Sequence, residues 1–230
     1  MMVRLVAEPP PDGAVQPLEI PMRIALIHAL RHSPPPVEAA FREFWPEATL
    51  MNLMDDSLSA DLARDGRLTP VMTARFLTLA RYAVDTGAAG ILFTCSAFGL
   101  CIDAVKLAYP RVAVLKPNEA MIEEAQAAGR SIALMASFAP TLESMPAEFP
   151  PGIRVLPVLI PGALAALDRG DADQHDRLAA AIAAALPDCD AVALAQFSLA
   201  RAAPLIARAC GRPVLTTPGS AVRKLKRLLN

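Results

Sequence analysis

An internal repeat constrains this chain more than any other feature of its sequence. The segment Ala89–Cys95, followed by Arg111–Pro117, recurs without a gap as Asp190–Gln196 followed by Arg212–Pro218. An earlier echo pairs Arg23–His28 with Ser131–Ala136. Each repeated run is short, apolar and followed by turn residues, which reads as a buried strand, and the stretches between them have helical spacing. Strands alternating with helices predict a parallel sheet with right-handed crossovers. The expected fold is therefore α/β: two pseudosymmetric parallel-sheet lobes related by duplication. Ligands of such sheets bind beyond the carboxyl ends of the strands, which places the expected active site in a cleft between the lobes.

The predicted boundaries are an extended arm over 1–21, a first lobe over 22–117 and a second over 118–230. The last strand and helix are candidates to cross between lobes. The arm follows from Pro9, Pro10, Pro11, Pro17 and Gly13, a composition that disfavours packed structure. Strands are expected at Met22–Leu30, Ala48–Met54, Gly90–Thr94, Val112–Leu115, Ile132–Ala136, Val155–Ile160, Ala191–Ala195 and Val214–Thr216. The Pro34–Pro36 triplet bounds the first of them, and Pro70, Asn118 and Pro140 mark helix starts.

With 230 residues, 54% of them hydrophobic, the chain can bury a substantial core. A net charge of -1 offers no basic field for nucleic acid. The short basic tail Arg223–Arg227 is expected to solvate a last helical turn. No apolar run has the length of a membrane span, and the first residues lack a signal-peptide core, so the expected location is the cytoplasm. Four cysteines, at 95, 101, 189 and 210, match neither zinc spacing nor a disulfide framework, so reduced thiols and no metal are expected. The first strand ends without a glycine fingerprint and no phosphate-cradling loop occurs, which ranks nucleotide binding last. Homodimerisation is the default from its prevalence among soluble oligomers.

The repeat sets Cys95 opposite Gln196, a thiol against an amide. Cys95 ends the third strand beside Ser96 and Gly99, at an expected helix N-terminus. Backbone N–H groups there can hold a carboxylate and draw a thiol below its free pKa of about 8.5. A buried structural cysteine is the alternative reading. His28, ending the first strand, reads either as an acid or base beside the cleft or as a hydrogen-bonded histidine. Ser137 and Thr141 flank the matching turn of the second lobe and suit carboxylate binding or helix capping. Asp55, Asp56 and Ser57 suit a turn or a pocket wall. His32 and His175 lie in polar stretches expected to be exposed, and Cys101, Cys189 and Cys210 read as structural.

Three motifs, Thr94-Cys95-Ser96-Ala97-Phe98-Gly99, Lys116-Pro117-Asn118-Glu119-Ala120-Met121 and Ala195-Gln196-Phe197-Ser198-Leu199-Ala200, carry a resemblance. From about Met22 to the C-terminus the chain resembles the aspartate/glutamate/hydantoin racemase superfamily, which includes arylmalonate decarboxylase and maleate isomerase. The resemblance implies a cofactor-independent site between two lobes and a small carboxylate or amino-acid-derived substrate. Two-thiol members of that superfamily work a carbon from both faces. Here Cys95 matches the first thiol, and Gln196 stands where the second would be. An amide, with Ser198 two residues on, is no base near neutral pH. The expected roles are Cys95 as the catalytic thiol, with Thr94 and the backbone amides of Ser96 and Ala97 holding the carboxylate. Gln196 and Ser198 would orient the substrate. Racemase-like or isomerase chemistry, one-thiol decarboxylation and an inactive carboxylate-binding homologue are the functions left open.

Overall fold

The computed structural model describes residues 22–230, and the predicted arm over 1–21 lies outside them. The first sheet contains β1 (Arg23–His28), β2 (Thr49–Met54), β3 (Gly90–Phe93) and β4 (Ala113–Leu115) in the order β2-β1-β3-β4. The second contains β5 (Ser131–Ala136), β6 (Arg154–Leu159), β7 (Ala191–Leu194) and β8 (Val214–Thr216) in the order β6-β5-β7-β8. All pairings are parallel. The duplication extends to register: Ile24 pairs with Gly90 as Ile132 pairs with Ala191. Only the last pairing slips, since Gly90 pairs with Ala113 whereas Val192, not Ala191, pairs with Val214.

Side chains alternate across each strand, so each sheet needs cover on both faces. In the first lobe Ala25, Ile27, Ile91 and Phe93 pack on α2 (Ser57–Asp65), α3 (Pro70–Asp85) and α4 (Gly99–Ala108). Ile24, Leu26 and Leu92 face α1 (Pro34–Phe44) on the other side. In the second lobe Ala133, Met135, Val192 and Leu194 pack on α7 (Ala163–Asp168), α8 (Ala172–Ala183) and α9 (Ala203–Cys210). The opposite face carries Ile132, Leu134, Ala191 and Ala193, close to α6 (Ala139–Ser144).

The helix after the fourth strand of each sheet covers the other sheet, an exchange that ties the halves together. Met121, Ile122 and Ala125 of α5 (Glu119–Ala128), which follows β4, cover the second sheet. Ala221, Val222 and Leu225 of α10 (Thr217–Leu229), which follows β8, cross back onto the first. β8 itself stays with the second sheet. The basic tail does more than solvate a turn: Arg223 pairs with Glu124 and lies over the Phe44 ring, and Lys224 pairs with Glu123.

Local chemistry explains several helix ends. Thr69 caps α3, accepting from Met72 N–H at 3.3 Å, with Pro70 at the first helical position. Asp171 caps α8 in the same way. The Pro34–Pro36 triplet, expected only to bound a strand, forms the first turn of α1, where missing N–H groups cost nothing. Asn118 precedes α5 as expected, but its side chain makes no cap bond and lies fully buried without a partner. Gly66, ending α2, and Gly211, ending α9, have φ of 65° and 64°, the left-handed conformation that glycine adopts without strain. Among the described residues no helix is long and apolar enough to cross a membrane.

Candidate active site at the junction of the strand ends

The carboxyl ends of β1, β3, β5 and β7 carry the residues singled out from sequence, and hydrogen bonds link the two halves there. Ser96 Oγ donates to the Ala195 carbonyl at 2.8 Å and lies 3.2 Å from Thr141 Oγ1. Thr94 and Ala195 are counterparts in the repeat, so the turn after β3 is fastened to the matching turn of the other half. Phe138, which begins the chain into α6, packs in the first lobe's core with Cys95 and Ala97.

Cys95 is closed over, with 4% of its surface exposed. The expectation of a lowered thiol pKa is overturned: burial pushes it up to about 11 against the opposing N–H of Ala97. The 3-10 turn that follows, Ser96–Phe98, runs straight into α4, and desolvation of the thiolate outweighs the N–H that the turn offers. A Ser59 hydroxyl turned to the sulfur would favour the thiolate. Instead that hydroxyl donates to the Ala29 carbonyl at 2.6 Å, leaving the thiol hydrogen as the one available to the pair. Cys95 therefore rests as a neutral thiol.

His28 is fully buried, with both ring nitrogens engaged. Nε2 lies 2.9 Å from Asn52 Oδ1 and Nδ1 lies 2.7 Å from Thr94 Oγ1. Because Asn52 Nδ2 donates to Glu38, its oxygen faces the ring, which assigns the proton to Nε2 and makes Nδ1 the acceptor from Thr94. Burial lowers the imidazole pKa and keeps it neutral. Of the two sequence readings, the hydrogen-bonded histidine matches this geometry, and the Thr94 hydroxyl is spent on it.

Gln196, the counterpart of Cys95, is buried with its Oε1 accepting from the N–H of Ser137, the N–H of Phe138 (3.2 Å) and the Ser137 hydroxyl (3.1 Å). Two successive backbone donors and a hydroxyl converging on one oxygen are the arrangement that holds an oxyanion, and here the protein's own amide fills it. Neither Ser137 nor Thr141 caps α6; one serves Gln196 and the other lies against Ser96. Gln196 Nε2 and Ser198 Oγ are buried with no partner among the described residues. Gln196→Leu is expected to cost about 1–3 kcal/mol in urea unfolding, because it strands the Ser137 and Phe138 donors in the interior. An unchanged midpoint would mean that water replaces the amide freely.

The remaining candidates fall away from this junction. Asp55 is held below the usual carboxylate range by its bonds to Arg75 and Ser57, acting against burial, in a turn that anchors α2 to α3. Cys101 is core, 3.4 Å from Thr73 Oγ1; Cys189 receives Arg212, and Cys210 ends α9. All four cysteines are free. Two exposure expectations fail: His175 is fully buried and bonded to Asp176 at 2.7 Å, and His32 is partly buried, 2.8 Å from Asp168 of the other half. Sequence reading also missed Asn52 and Ser59. Asn52, a lone polar residue in the apolar run Leu50–Met54, was the available signal. Among the described residues no group of three or more metal-ligating side chains comes together.

No family model and no curated protein matches the chain. Solved structures do. Glutamate racemase from Francisella tularensis, in complex with D-glutamate, superposes with a TM-score of 0.72 at 13% identity, covering 91% of this chain and 81% of that one. The fold is that of these racemases. Allantoin racemase from Klebsiella pneumoniae follows with a TM-score of 0.65 at 16% identity over 90% of this chain and 87% of its own. An arylmalonate decarboxylase gives 0.61 at 18%, covering 90% of this chain and 92% of that one. At such identities the likeness concerns architecture, and function has to be argued from the site.

Proposed function

We propose that this chain is a cofactor-independent enzyme acting on a carbon adjacent to a carboxylate, with Cys95 as its single thiol. The carrying observation is a neutral, buried Cys95 set by duplication against an amide, Gln196. Of the four cysteines it alone ends a strand where the halves meet. Racemisation needs a base on one face of the carbon and an acid on the other, and Gln196 supplies neither. A neutral thiol instead suits protonation from one side. In an arylmalonate-type decarboxylation the C–C bond to one carboxylate breaks, its electron pair enters an enediolate as CO2 leaves, and the Cys95 proton passes to the carbon. Water then returns a proton to the thiolate. The N–H groups of Ser137 and Phe138 would stabilise an enediolate oxygen once Gln196 Oε1 yields the position.

The closed surroundings of Cys95 favour one rival, a carboxylate-binding protein without turnover. Incubation in heavy water with phenylmalonate, glutamate and allantoin separates the readings. The proposal expects CO2 release from phenylmalonate and one deuterium on a single face of the product. Deuterium entering glutamate or allantoin with loss of chirality would replace it with racemisation. Ligand-induced thermal stabilisation with no product from any of the three would favour the binding protein.

A further inference from the structure

Between the halves lies a cavity of about 330 Å3 lined by Arg31, His32, Pro35, Pro36, Leu167, Ser198 and Arg201. Arg31 and His32 precede α1 of the first lobe and Pro35 and Pro36 lie in its first turn, whereas Leu167, Ser198 and Arg201 belong to the second. The lining holds two guanidinium groups and no carboxylate. The volume is within the range of small-ligand sites.

Arg201 is built into this wall. Its Nε lies 3.0 Å from both carboxylate oxygens of Asp176, and Asp176 is buried and bonded at 2.7 Å to Nδ1 of the fully buried His175. A half-exposed arginine held by its Nε to a buried carboxylate has its planar fork oriented, with both terminal nitrogens left over. Among the described residues neither of those nitrogens has a hydrogen-bond partner. Arg31 uses one nitrogen on Asp56 and keeps its other donors. Ser198 supplies an independent indication: its hydroxyl is buried in the same wall with no partner, two residues past Gln196. Buried hydroxyls are ordinarily satisfied, and one without a partner beside an oriented guanidinium fits a missing acceptor. Pro35, Pro36 and Leu167 would flank a short carbon chain.

We infer that this cavity is a carboxylate-recognition site, in which the Arg201 fork grips one acidic group of a small dicarboxylate and Asp176 is the positioning residue. The inference rests on the reading of the junction as a small-carboxylate site, and binding here does not depend on the thiol. Malonate, acetate and inorganic phosphate are titrated calorimetrically into the full chain and into Arg201→Gln, Arg201→Lys, Ser198→Ala and Cys95→Ser. Malonate is expected to bind wild type and Cys95→Ser alike, at least tenfold more weakly to Arg201→Gln, and only partly recovered in Arg201→Lys, which keeps the charge and loses the fork. Ser198→Ala is expected to weaken it severalfold. Malonate affinity unchanged in Arg201→Gln would overturn the site, and phosphate or acetate binding as tightly as malonate would overturn the dicarboxylate class. Failure of the enzymatic reading shows separately, as absence of turnover with malonate affinity and its dependence on Arg201 preserved.

Discussion

Cys95→Ser is expected to lower turnover of the accepted acid by about 10²–10⁴-fold, the usual contribution of a positioned acid–base group, with the fold retained. Serine is close to isosteric and can still reach Ser59, but its hydroxyl is a far weaker acid than a thiol and cannot hand a proton to an enediolate at a comparable rate. Cys101→Ser is the control, since Cys101 is buried in the core at α4 and remote in role from the junction. Steady-state rates of CO2 release or deuterium uptake give the comparison. Equal rates for Cys95→Ser and wild type would remove the thiol from the chemistry.

Phe76→Ala is expected to cost about 3–5 kcal/mol of stability in urea or guanidinium unfolding. Phe76 of α3 is fully buried, with its ring 5.2 Å from that of Phe93 and 4.9 Å from that of Phe98. Those two neighbours end β3 and close the 3-10 turn, so the three rings fix the two sides of the segment that carries Cys95. The loss combines transfer of the ring with the cavity it leaves, and aromatic contacts of this kind add to the area term. Phe76→Ala should also make Cys95 more open to iodoacetamide, whereas Phe76→Leu should retain most of both properties. A loss below about 1 kcal/mol would show that the turn is held by other contacts.

The architecture was legible because duplication, apolar strand runs and helix punctuation coincide in this sequence. Thr69-Pro70 announces α3 and the repeat of Ala89–Cys95 in Asp190–Gln196 announces the paired sheets. α2 was not legible: its buried residues are only Leu58, Ser59 and Leu62, too sparse a stripe for periodicity to stand out after Asp55-Asp56-Ser57. That omission hid Ser59, which comes from α2 to lie beside Cys95. The position of the candidate residues at strand ends was legible, and there Ser96 meets Thr141 and Gln196 meets Ser137. Its electrostatics were not. A helix N-terminus was expected to acidify Cys95, but that effect depends on solvent access, which packing around the thiol, including Phe138 of the other half, removes. The carboxylate nest filled by Gln196 and the chain from buried His175 and Asp176 to Arg201 are likewise tertiary, since their members are distant in sequence or hidden on a polar helix.

The central claim is a single thiol that stays protonated at rest. Its folded pKa of about 11 lies above the ordinary value near 9, so the group's contribution to stability is complete below pH 9. That contribution, roughly 3 kcal/mol, is lost as pH rises from about 9 to 11. The most direct measurement is a pH titration of the 13Cβ resonance of Cys95 in cysteine-labelled protein, assigned by its disappearance in Cys95→Ser. The neutral-thiol shift is expected to persist through pH 9, with a midpoint near 11. A midpoint at or below 8 would mean a thiolate available near neutral pH and would contradict the protonated single-thiol site.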